Sequence, residues 1–104
     1  MNLFKKHYPV VKRELRNYKE NPQPTGTAAE RVNKLKWNML ICKYLELCDD
    51  EQKKFIDLLY FKNHPILEVG LIFPLGLRTC QEWREKTLKN ILLLAAGEGL
   101  LFLN

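Results

Sequence analysis

The side chains best suited to chemistry follow the bend Pro74-Leu75-Gly76: Leu77, Arg78, Gln81, Glu82 and Glu85. At these spacings on a helix they project from one side of its first turns. Arginine can grip guanine, glutamine adenine and glutamate cytosine, through hydrogen bonds to base edges in the major groove. The five therefore read as base-contacting residues of a helix made to enter that groove. Thr79, Lys62, His64, Arg84, Lys86 and Lys89 lie around them in sequence, and Lys12, Arg13 and Arg16 lie near the start of the chain. These nine are candidates for phosphate contacts, which set register without reading sequence. The two glutamates repel phosphate unless each sits over a cytosine. The alternative is a plain antiparallel pair of helices whose charged face serves solubility.

Other chemistry finds little support in the residues. There is no Gly-rich phosphate loop, no G-x-S-x-G, no H-E-x-x-H and no Cys/His couple, so no enzyme is expected. Asp49, Asp50 and Glu51 cluster at the start of a helix, where they offset its dipole. Cys42, Cys48 and Cys80 are odd in number, contain no C-x-x-C pair and sit among apolar residues. They are expected to be buried free thiols. Neither His7 nor His64 neighbours a cysteine in sequence, and no metal or cofactor is expected.

Five helices and no strand are needed to position these residues. The first is expected from near Pro9, with Tyr8, Val11, Leu15 and Tyr18 on one face and Lys12, Arg13, Arg16 and Lys19 around the rest. Residues 20–27, ENPQPTGT, form a linker that resists helix and strand alike. Thr27 and Glu30 form a capping box for a second helix over Ala28–Leu47. Its main stripe is Val32, Leu35, Met39, Cys42 and Leu45, widened by Trp37, Leu40, Ile41 and Tyr44. Trp37 is a core residue in this reading, not a base-stacking platform.

Asp49 and Gln52 begin a third helix over Asp50–Phe61, with Phe55, Ile56, Leu58 and Leu59 facing inward. After the polar break Lys62-Asn63-His64, Pro65 opens a fourth helix, Ile66–Phe73. Gly70 lets its backbone approach the next helix, and Leu75 plugs the turn. The fifth helix runs from Leu77 to about Ala96, burying Cys80, Leu88, Ile91, Leu92 and Ala95, and Gly97 and Gly99 stop it. Residues 65–96 thus have the form of a helix-turn-helix within a helical domain over 28–104. The apolar tail Leu100–Leu103 must pack on the body or on a second subunit.

The chain has 104 residues and a net charge of +5, with 46% hydrophobic and 28% charged residues. That balance argues against wholesale disorder. Residues 1–48 hold ten Lys/Arg against four Asp/Glu, and residues 49–104 hold seven against eight. The basic excess lies in the first half, outside the helix-turn-helix, and such a segment attracts phosphate backbones. Asn90–Gly97 is the most apolar tract and is far shorter than the roughly 18 residues a membrane span needs. MNLFKKHY lacks a hydrophobic run and does not read as a secretory signal, so the cytoplasm is the expected compartment.

The order of elements resembles the ArpU/RinA-like late-gene transcriptional regulators of phages and prophages of Gram-positive bacteria. The C-terminal part is similar to the −35-reading region 4 of sigma factors. The likeness is carried by ELRNYK at Glu14–Lys19, DDEQKKFIDLLYF at Asp49–Phe61 and TCQEWREKTLKNILLLAAGEGL at Thr79–Leu100. It implies activation of late phage genes by binding upstream of the promoter, with host RNA polymerase as a further partner. By position, Pro65 matches the start of the first motif helix, Gly70 its small-residue site, Gly76 the usual Ser cap and Thr79 the Thr three residues later. Pro74 stands where a turn glycine is usual.

The expectation is an all-α bundle that binds double-stranded DNA in a bacterial cytoplasm, with a homodimer fitting because paired half-sites multiply affinity. Two alternatives are a small terminase-type packaging protein assembled as a ring, and a helical adaptor for a host protein such as RNA polymerase.

Overall fold

Two polar side chains start the central helices. Thr27 Oγ1 accepts the Glu30 N–H at 3.2 Å and opens α2, Ala28–Leu47. Asp49 and Gln52 form a reciprocal capping box at the head of α3, Asp50–Ile56, with N–H···O distances of 2.8 and 3.2 Å. Such caps satisfy amides that have no partner in a first helical turn. The computed structural model describes residues 3–18, 26–73 and 76–101. Among these the chain is all-helical, with α1 at Leu3–Arg16, α4 at Ile66–Ile72 and α5 at Gly76–Gly97 completing a bundle of five helices without a strand.

α5 is the axis of the bundle, in contact with α4, α1 and α2. Its buried side holds Cys80, Thr87, Leu88, Ile91, Leu92 and Ala95, and all five apolar members were expected there. α1 packs on it through Val11 and Leu15, both fully buried, with Tyr8 and Tyr18 at the margins of the core. Glu14 is also buried. Its carboxylate lies 3.3 Å from Lys34 Nζ on α2 and 3.6 Å from Arg13, and Lys34 also donates to the Asn17 carbonyl at 3.3 Å. A buried charge needs such partners, and here they fasten α1 to α2. Leu100 and Leu101 fold back onto the core, while the rest of the Leu100–Leu103 tail lies outside the described residues.

Three expectations change. α1 begins at Leu3, not near Pro9, and Pro9 sits inside it. Proline has no N–H for the Lys5 carbonyl, but both residues are exposed, so water can serve that oxygen. On α2 the stripe Val32, Leu35, Met39 and Cys42 faces solvent, Met39 with 61% of its surface exposed, and Leu45 is only half-buried. The opposite side buries Trp37, Leu40, Ile41 and Tyr44, because its two aromatic rings remove more apolar area from water. With that face, Cys42 is exposed. Cys48 and Cys80 are buried, and burial pushes both thiols up from their ordinary range.

The end of the third rod was not expected either. After Ile56 the helix widens into a π-helical turn, Asp57–Phe61, closed by Lys62 N–H donating to the Asp57 carbonyl at 2.8 Å. Asn63 then takes a left-handed backbone (φ 58°), and His64 N–H reaches the Leu58 carbonyl at 2.9 Å. Asparagine is among the few side chains that tolerate this conformation. Tyr60 is buried in this turn together with Leu58 and Leu59.

Candidate nucleic-acid interface

The helix pair α4–α5 is held by a close approach and a ring cluster. A Cβ on Gly70 would stand 3.2 Å from Leu77 Cα, so only glycine lets the two helices meet at this distance without displacement. Gly76 opens α5 with φ +81°, a backbone that L side chains rarely adopt. Phe55 of α3 packs edge-on against Phe73 at 6.0 Å and against Trp83 at 5.6 Å, which ties the pair to the rest of the bundle. Pro74 and the expected turn plug Leu75 lie outside the described residues.

α5 presents the base-reading candidates to solvent. Arg78, Glu82, Glu85 and Lys89 recur at the four-three-four spacing of one helical face, and all are exposed. Gln81 and Leu77 are exposed beside them. The Arg78 side chain is 94% exposed and lies 3.6 Å from the Glu82 carboxylate, a surface pair worth under about 1 kcal/mol that a stronger partner can displace. Glu85 is within electrostatic reach of Tyr8, whose phenol is raised by burial and then by this charge. α1 thus flanks the outer edge of α5.

The phosphate candidates divide. Lys12, Arg16, His64 and Arg84 come together around one recess between α1, the loop after the π-helical turn and α5. Arg13 is exposed next to them on α1. Lys62 is paired with Asp57 at 3.1 Å, and His64 Nδ1 with Glu68 at 3.0 Å. Lys86 stands on the other flank of α5, beside Tyr44, Leu47 and Asn90. Thr79 is half-buried, its neighbour Cys80 fully so.

Tyr60 was missed from sequence: it lines the recess of Lys12, Arg16, His64 and Arg84, with 3% of its surface exposed and its hydroxyl without a hydrogen-bond partner among the described residues. Its burial follows from Ile56, four residues earlier on the same helical face, but its place beside α1 and α5 does not. Another unexpected feature is apolar. Leu67, Leu71 and Ile72 of α4 face solvent beside the start of α5, Leu71 with 87% of its surface exposed.

Among the described residues no group of His, Cys, Asp and Glu is placed to hold a metal ion, and no helix is long and apolar enough to cross a membrane. No protein-family model, no curated protein and no solved structure matches this chain.

Proposed function

We propose that the protein binds duplex DNA sequence-specifically and regulates transcription, with the first turns of α5 in the major groove. The observation that carries this reading is the solvent-facing set Arg78, Gln81, Glu82 and Glu85 on a helix held rigidly against α4 at Gly70. Rigid presentation matters because base readout depends on side chains reaching fixed donor and acceptor positions. Arg13 on α1 and Lys89 on α5 then meet the phosphate backbone on either side. The assignment to phage or prophage late genes in a bacterial cytoplasm, with RNA polymerase as a second partner, is supported by the resemblance at Glu14–Lys19, Asp49–Phe61 and Thr79–Leu100. In a homodimer two such helices would address half-sites about one DNA turn apart, and the exposed stripe Val32, Leu35 and Met39 offers a face for pairing.

Titration of a duplex across a salt series tests the reading. The logarithm of the affinity should fall linearly with the logarithm of salt, with a slope steeper than about −3. Arg13→Ala should weaken every duplex alike and reduce that slope by about 1. A second reading, an adaptor for a protein partner, is favoured by Leu67, Leu71 and Ile72, an apolar group of the kind that protein interfaces cover. Absence of any shifted duplex at low salt would select it.

A further inference from the structure

We infer that the recess between α1, the Asn63–Pro65 loop and α5 is a binding site for a small phosphate-bearing anion, held by Lys12, Arg16 and Arg84 with the Tyr60 hydroxyl as a buried donor. Three observations meet there. The first is charge. Lys12 and Arg16 from α1 and Arg84 from α5 line one cavity of about 290 Å³, and no carboxylate lines it. None of the three forms an ion pair among the described residues, although four other pairs of Lys or Arg with a carboxylate do form. Like charges held close repel one another, so an arrangement of this kind is relieved by a bound anion. Two guanidiniums offer planar forks that match phosphate oxygens, and a lysine adds a point charge.

The second observation is the orphaned donor. The Tyr60 hydroxyl is closed to solvent and has no partner among the described residues, a state that costs free energy in a folded chain unless a ligand or water satisfies it. Burial pushes this phenol well above its ordinary range, only partly offset by the Arg84 and Arg16 charges. It therefore stays protonated, able to donate to a phosphate oxygen. The third is local backbone. The π-helical turn and the left-handed Asn63 together bring Tyr60, Asn63 and His64 to the cavity wall, and π-turns recur at functional sites.

The site is separate from the reading edge of α5. At 100° per residue Arg84 lies about 120° around the helix from Arg78, so the inference does not depend on duplex binding. The volume lies near the lower end of the range for small-molecule pockets. It suits inorganic phosphate or a compact phosphomonoester.

Calorimetric titration of the full chain with inorganic phosphate, and separately with adenosine 5′-monophosphate, at constant ionic strength set with chloride, tests the site without DNA. One saturable site per chain is expected, with Kd below about 1 mM. Tighter binding of the monophosphate identifies a phosphomonoester as the ligand, and equal binding identifies free phosphate. Arg84→Gln and Arg16→Gln should each weaken binding about tenfold or more, and the exposed position of Arg16 leaves that variant folded. Tyr60→Phe should weaken it severalfold while leaving the melting temperature unchanged or raised. No saturable heat with either probe overturns the inference, as does binding that is unchanged in both Arg16→Gln and Tyr60→Phe.

Discussion

Phe55→Ala should destabilise the protein by about 3–5 kcal/mol, the range for truncating a buried aromatic ring. Phe55 is fully buried and edge-on to both Phe73 and Trp83, so a single substitution empties the junction of α3, α4 and α5. Edge-to-face pairs contribute beyond area burial, which places the loss in the upper part of that range. Domains of this size are stable by roughly 5–15 kcal/mol, so much of the folded population is at stake. Urea unfolding followed by far-ultraviolet circular dichroism measures it, with a melting temperature lower by roughly 12 °C or more. A loss under about 1 kcal/mol would mean that the three rings do not form the joint described.

Gly70→Val should be the most damaging change on the short helix α4. The added Cβ would meet Leu77 Cα at 3.2 Å, and the branching methyls have less room still. Overpacking of this kind costs about 1–3 kcal/mol. Gly70→Ala should do less harm, because alanine gains up to about 1 kcal/mol of helix propensity against a single tight contact. The order of the two variants therefore separates a steric requirement from simple helix preference. Gly70→Val should also lose duplex preference at temperatures where it remains folded, since α4 no longer fixes the direction of α5. Equal stability for valine and alanine would remove the close approach from the account.

Much of the fold was legible because it depends on short-range rules. Thr27, and Asp49 with Gln52, mark helix starts through hydrogen bonds to neighbours three residues away. The single apolar face of α1 and the buried side of α5 follow from helical spacing, and the glycine at position 70 indicates a close approach whatever its partner. The orientation of α2 was not legible for a definite reason. Val32, Leu35, Met39 and Cys42 recur on one side, and Trp37, Ile41, Tyr44 and Cys48 on the other, so periodicity offers two faces. Only packing against the rest of the bundle chooses between them, and it covers the aromatic one.

The candidate site divides along the same line. Exposure of Arg78, Gln81, Glu82 and Glu85 could be read from their place after the bend, as local helix geometry sets it. The gathering of Lys12, Arg16, His64 and Arg84 could not, because it joins α1 to α5 across most of the chain. Tyr60 lies four residues after the buried Ile56, so helical spacing carries its burial, but not its place beside α1 and α5. Charge patterning made these residues candidates for phosphate contact, and tertiary packing places Lys12, Arg16, His64 and Arg84 around one recess.

The claim on which the functional account rests is that Arg78 and Gln81 read base edges. Selection of tight-binding duplexes from a randomised pool, with the wild-type chain and with Arg78→Ala in parallel, tests it most directly. The wild type should enrich one defined sequence, and Arg78→Ala should lose preference at a guanine position within it, at a cost of about 1–3 kcal/mol for that base pair. Enrichment of no sequence by the wild type, or of the same sequence undiminished by Arg78→Ala and Gln81→Ala, would contradict it.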